Sequence, residues 1–149
     1  DKYGALYNWY ATNNYYGLCP TGWHIPSNDD WTTLTDYIGG INPPHGNELK
    51  SCLQVSSPFG GSCNTQEHPR WSQNTANYGS DAYGISCLPG GIRYVSGYFL
   101  FVGFTGYWWS STEDSSYIAW KYALNHNTGS IYESLTDKRE GISIRCIKD

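Results

Sequence analysis

Apolar positions in this chain change their spacing part-way along. Trp31, Leu34 and Ile38 fall at i, i+3 and i+7, which makes one stripe on a helix. Ser27 in front of them is a good N-cap, Asp30 three positions on gives a variant of the capping box, and Gly39-Gly40 supplies a left-handed stop. The spacing predicts a helix over residues 28–38. From residue 85 onward the pattern turns to short runs separated by turn residues. These predict strands over 92–95, 98–102, 107–112, 118–124, 130–133 and 142–147. In the last of them Ile142, Ile144 and Cys146 face one way, and Ser143, Arg145 and Ile147 the other. The aromatic start, residues 3–11, fits a strand better than a helix. Asn42-Pro-Pro-His-Gly46 reads as a turn and residues 48–51 as a short second helix. A helix early, strands late and no strand–helix alternation predict an α+β fold with an antiparallel sheet.

Residues 55–84 are Ser, Gly, Asn, Thr and Pro with scattered aromatics. A loop that long is usually functional or cross-linked, and Cys52 with Cys63 offers one way to close part of it. Residues 125–129 read as a hairpin tip and 133–140 as a polar, mobile turn. Nothing resembling a linker or a repeat interrupts the chain, and 149 residues suit one domain spanning 1–149. Acids outnumber bases, 13 to 9, for a net charge of −4, so nucleic acid is not an expected partner. No apolar run approaches the roughly 18 residues needed to cross a bilayer. Asp at position 1 and the absence of Met suggest that a signal peptide, lipoprotein anchor or upstream domain has been removed. The five cysteines, Cys19, Cys52, Cys63, Cys87 and Cys146, include no Cys-x-x-Cys pair. Disulfides in an exported protein are a better reading than a thiolate zinc site, and the odd count leaves one thiol over.

Candidate chemistry is sparse. The histidines His24, His45, His68 and His126 include no i, i+4 pair, and His24 reads as a structural hydrogen-bonding residue. Asp29 and Asp30 are explained by the helix dipole. Glu113 and Asp114 are turn carboxylates that calcium would accept. Yet Glu-Pro-Asn, Gln-Pro-Asp and Trp-Asn-Asp, the motifs of calcium-dependent sugar readers, are absent. Gly-x-Ser-x-Gly is absent too, since Ser86 in Gly84-Ile-Ser-Cys-Leu88 lacks the second glycine. Neither a metal nor a cofactor nor an enzymatic activity is expected. Trp9, Trp23, Trp31 and Trp120 read as core. Adjacent Trp108 and Trp109 point to opposite faces of a strand, one to the core and the other under the long loops or on a surface. Residues 94–136 combine Tyr and Phe with Ser, Asn and Gly, which is the composition of a binding paratope. The candidate contact surface is Tyr94, Leu100, Phe101, Phe104, Tyr117, Lys121, Asn125, Asn127, Tyr132 and Glu133. Aromatics would anchor a ligand there while Asn, Lys and Glu set polarity.

Three motifs and the chain's ending carry a resemblance. Leu18-Cys-Pro-Thr-Gly-Trp-His-Ile-Pro-Ser27, Leu88-Pro-Gly-Gly-Ile-Arg-Tyr94, Gly106-Tyr-Trp-Trp-Ser-Ser-Thr112 and the final Gly141-Ile-Ser-Ile-Arg-Cys-Ile-Lys-Asp149 occur in that order. Together they resemble the Fibrobacter succinogenes major paralogous domain over essentially the whole chain. The resemblance implies a C-type lectin-like fold, in which residues 3–11 pair with 142–147 and Cys19 bonds Cys146. Cys52 and Cys63 then form the second bond. Cys87 departs from the family's usual Ala and reads as a buried thiol. The family implies an exported protein of Bacteroidetes-like bacteria, at the outer-membrane surface or outside it, anchored by lipid through a missing N-terminal segment. Some members are diversified over the exposed C-terminal sheet by retroelement cassettes. The function expected on this basis is an adhesin-like module that binds a protein or a cell-surface glycan. The alternatives are an enzyme akin to the formylglycine-generating fold, whose paired cysteines hold copper and for which Cys87 has no partner, or a structural module of a larger surface protein.

Overall fold

The structure, a computed structural model, describes residues 2–14 and 17–149. Its regular elements are β1 (Trp23–His24), α1 (Asn28–Ile38), α2 (His45–Leu49), β2 (Ile92–Arg93), β3 (Phe99–Leu100), β4 (Thr105–Glu113), β5 (Ile118–Asn125), β6 (Ile131–Asp137) and β7 (Ile147–Lys148). Short 3-10 helices cover Trp9–Asn13 and Gly61–Cys63. The three long strands form an antiparallel sheet in the order β4-β5-β6, while β1 pairs with β7 and β2 with β3. The result is α+β, mostly sheet.

Helix α1 has the predicted bounds. Ser27 accepts from the Asp30 backbone, Asp30 accepts back from Ser27, and Gly39 closes the helix at φ 108°. Behind it, β4 and β5 are largely buried on both sides, whereas residues 132–135 of β6 are exposed. Trp108, Tyr122, Leu124 and Ile131 share one face and pack with Trp31, Ile38, Leu49, Trp71 and Cys87. Trp31 stacks on Tyr122 with ring centroids 4.5 Å apart. Trp109 and Ala119 occupy the other face with Trp9, Ile92 and Ile142. Both adjacent tryptophans of β4 are therefore core, correcting the expectation that only one would be. Trp9, Trp71 and Trp109 each donate the indole N–H to a backbone carbonyl, of Ser110, Cys87 and Tyr7 respectively, so their burial leaves no donor unmet. Trp23, expected in the core, is exposed on the two-residue strand β1.

The chain's ends meet over that second face, though not as two full strands. Tyr7 bridges Ile142, after which residues 9–13 turn into a 3-10 helix that buries Trp9. Residues 141–143 run beside β2 and β4 through single bridges to Arg93 and Trp108, and regular pairing resumes only at β7. In place of the expected strand over 3–11 only Tyr7 bridges, and the 3-10 helix that follows carries Trp9 into the second core cluster. Strand β6 continues to Asp137, and Lys138 and Glu140 beyond it are buried, so residues 133–140 are not the mobile turn that their polarity suggested. The second helix begins at His45, three residues earlier than expected, and takes in the end of the Pro-Pro turn.

Two disulfides are present, Cys19–Cys146 and Cys52–Cys63. Cys87 is free and buried. The long irregular stretch is fastened from inside by Lys50, which is fully buried. Its Nζ donates to Asn47 Oδ1 at 2.9 Å, to the Asn77 carbonyl at 3.2 Å and to the Thr128 carbonyl at 2.7 Å, and it lies 5.4 Å from the Trp71 ring centroid. One ammonium thus joins α2, the long loop and the β5–β6 turn. Burial pushes its pKa down to about 7.

The cross-links differ in reach. Cys19–Cys146 spans 127 residues and Cys52–Cys63 spans 11. On the chain-entropy account, replacing the first pair by serine lowers the unfolding free energy by about 5 kcal/mol and the second by about 3 kcal/mol, as read from urea denaturation. Lys50 also makes stability depend on pH. The unfolded chain holds this proton to about pH 10.4, whereas the folded chain releases it near 7, so stability rises with pH between those values. Relative to Lys50→Met, the wild-type protein gains up to about 1.4 kcal/mol per pH unit from pH 7 to 9, again by denaturation. Parallel curves for the two proteins would show that the lysine titrates normally.

Candidate functional site

The largest run of exposed apolar side chains lies between β2 and β4. Tyr98, Phe99, Leu100, Phe101, Val102 and Phe104 are each 43 to 72% exposed. Their backbone is nevertheless tightly held. β2 and β3 form a hairpin closed by the Tyr94 N–H on the Tyr98 carbonyl at 2.9 Å and the Gly97 N–H on the Tyr94 carbonyl at 2.8 Å. Beyond β3 the chain turns at Phe101, whose carbonyl accepts both the Phe104 and the Thr105 N–H at 2.9 Å. Gly103 donates to Pro89 and accepts from Ser72, and the Phe104 carbonyl accepts from His126. A Cβ at Gly91 would run into the Leu100 carbonyl, so glycine there lets β2 lie close against the loop. The side chains project from this fixed backbone as a ridge, with Phe99 and Leu100 on opposite sides of β3. Phe101 holds a positive φ of 66°, a conformation that a phenylalanine adopts only at a cost.

The ridge has polar neighbours at both ends. The Arg93 guanidinium lies 5.9 Å from the Phe99 ring centroid, and a groove of about 390 Å³ lined by Tyr3, Leu6, Arg93, Phe99 and Val102 opens beside it. At the other end Phe104 meets His126 edge to face at 5.1 Å. Burial pushes the His126 pKa down, with the nearby Lys50 charge adding to the effect.

The ten expected contact residues are only partly brought together. Leu100, Phe101 and Phe104 sit on the ridge. Asn125 and Asn127 lie at the β5–β6 turn next to it, on either side of His126. The Asn125 amide is committed to structure, donating to Thr105 Oγ1 at 3.0 Å and accepting from the Asn127 backbone at 3.1 Å. Tyr94 is half-buried against the second core cluster. Tyr132 is exposed and pairs with Ala123, on the same sheet face as Lys121.

Lys121 is not free to set a ligand's polarity. It is half-buried, 4.9 Å from the Tyr107 ring centroid and 3.8 Å from Glu140, and burial pushes its pKa down. Glu133 pairs with Tyr122 and so lies on the opposite face from Tyr132, because adjacent strand residues alternate. Tyr117 is exposed but follows the far end of β4. It stands eight residues of strand from Asn125, on the order of 25 Å away. These two residues leave the candidate surface. Sequence reasoning left out Tyr98, Phe99 and Val102, although five consecutive apolar residues after a turn glycine were visible and a two-residue strand cannot bury them all.

Among the described residues no group of three or more His, Cys, Asp and Glu side chains is gathered as metal ligands, and no helix is long and apolar enough to cross a membrane. Burial pushes the Cys87 thiol up to about 12. That holds it protonated, the reverse of what thiolate chemistry requires.

No curated protein and no solved structure matches this chain. A family model described as the Fibrobacter succinogenes major domain matches residues 1–148, and the chain belongs to that family.

Proposed function

We propose that this protein is an extracellular ligand-binding module of adhesin type, which captures a protein or a cell-surface glycan on the ridge of Tyr98, Phe99, Leu100, Phe101, Val102 and Phe104. In this reading the fold is a variant of the C-type lectin-like fold, exported and anchored by lipid through a segment preceding these residues. The ridge would be the place where relatives differ, including by retroelement diversification. The two disulfides are compatible with an extracellular location.

One observation carries the reading: six large apolar side chains stand in solvent on a backbone fixed by hydrogen bonds at every turn. Soluble surfaces rarely gather such groups without use, and rigid aromatics bind with little loss of side-chain freedom. Phe101 adds weight, since a strained aromatic that is not core has no packing reason to be there.

Two measurements test this. The triple variant Phe99→Ala, Leu100→Ala, Phe104→Ala loses capture of glycans or surface extracts while its melting temperature moves by only a few degrees. Tyr117→Ala binds as the wild-type protein does. A collapse of stability in the triple variant, or binding equal to wild type, would remove the ridge from consideration. Separately, Phe101→Gly is more stable than Phe101→Ala by about 1 kcal/mol in chemical denaturation, reversing the usual order of these two residues. The opposite order would show that position 101 is unstrained.

A further inference from the structure

A second opening lies on the other side of the molecule, under α1. It is a cavity of about 370 Å³ whose walls are almost wholly apolar, with Trp31, Leu34, Leu49, Ile85 and Ile147 prominent among them. Tyr37, 77% exposed, stands at its rim, and Cys87 lies against its floor. Its volume is at the small end of the range for ligand pockets. The groups that close it come from α1, α2, the loop before β2 and the segment leading into β7. The Cys19–Cys146 bond beside Arg145 therefore holds one wall in place.

Two charged residues line this cavity, and they are not equivalent. Asp30 is paired: its Oδ2 accepts from the Ser27 backbone at 2.9 Å, from Ser27 Oγ at 2.7 Å and from His24 Nε2 at 3.3 Å. Arg145 is not. Its guanidinium donates to the Ile85 carbonyl. Among the described residues no carboxylate lies within ion-pair distance of it. A guanidinium has five donors in a planar fork that matches a carboxylate, and low-dielectric walls strengthen such a pair. The cavity's unpaired charge is the Arg145 guanidinium, and apart from Asp30 and Thr33 the residues that line the cavity with it are largely apolar.

We infer that this cavity binds a small monocarboxylate with an apolar body, a short fatty acid or single-ring acid, its carboxylate on Arg145 and its body between Trp31, Leu34, Leu49 and Ile85. The segment leading into β7 supplies both chemistries, since Arg145 and Ile147 both line the cavity. The site shares none of these residues with the aromatic ridge, so the two stand or fall separately.

Calorimetry and thermal shift with a homologous series on the intact, oxidised protein test the inference. Octanoate binds the wild-type protein and raises its melting temperature. From butanoate to octanoate each methylene tightens binding about fourfold. Octan-1-ol and octylamine bind at least tenfold more weakly than octanoate. Arg145→Gln loses about tenfold for octanoate and nothing for octanol, and Leu34→Trp, which fills the cavity, abolishes binding. Phe99→Ala leaves it unchanged. Should either cavity variant fail to fold, the wild-type comparison of acid, alcohol and amine still reads the charge preference. Contacts from labelled octanoate to the Ile85 and Ile147 methyls in nuclear Overhauser spectra then read the location. No binding of octanoate, equal binding of acid and alcohol, or contacts at the ridge instead would each overturn the inference.

Discussion

Burial of β4 on both faces is the constraint on which the rest depends. Trp108 and Trp109 are neighbours, so one strand drives a large ring into each side of the sheet. A sheet that is apolar on both faces must carry a layer on each. On one side that layer is α1, α2 and the residues around Trp71 and Cys87. On the other it is the chain's two ends, through Trp9 and Ile142. The ends therefore meet because Trp109 requires cover, and the long-range disulfide secures a closure that packing already dictates. Space at the start of β4 is equally constrained. A Cβ at Gly106 would approach the Leu88 carbonyl to 2.7 Å and strike the ring of Trp108, so the glycine is what lets that indole lie over the strand.

Much of the covering layer is irregular, and irregular backbone brings carbonyls that need donors. Two buried lysines supply them at opposite ends of the sheet. Lys50 joins α2, the long loop and the β5–β6 turn. Lys138 donates at 2.6 Å both to Glu113 and to the Ser115 carbonyl, and sits 4.2 Å from the Trp9 ring centroid. In each case an ammonium collects oxygens from distant segments while a tryptophan face covers its other side. Apolar side chains in these positions would fill the volume but leave the carbonyls unmet. The two lysines thus stand in for the regular ladders that this part of the chain lacks.

How legible a feature was in the sequence follows from how local its cause is. Helix α1 is set by a stripe and two caps within a dozen residues, and its bounds were readable to the residue. The fate of residues 133–140 was not, because the burial of Lys138 is decided by Glu113 and Trp9, far away in the chain. Residues 3–11 misled for a related reason: aromatic content marks a segment for burial without saying whether strand or 3-10 helix will deliver it. Cys19–Cys146 came from family resemblance, since spacing alone allows several pairings. In the candidate site, Leu100, Phe101 and Phe104 were visible through composition. Separating Tyr132 from Glu133 needed only strand alternation. Removing Tyr117 needed only the strand expected over 118–124, which already sets it at the opposite end from Asn125.

The ridge and the doubly buried β4 are two sides of one physical argument. Exposed aromatics on a loose loop would fold back onto the nearest apolar surface, and any partner would first have to order them. Here the loop is already held: its carbonyls and amides are bonded to residues 72, 89, 105 and 126, of which Thr105 begins β4 and His126 follows β5. Conformational freedom is lost on folding, when the core offsets it, and not on association. A positive φ at Phe101 is sustained by the same over-determination. Variation in the ridge side chains would then leave the frame untouched, because none of the bonds that fix the backbone is made by those side chains. That separation of frame from contact surface is the property a binding scaffold requires.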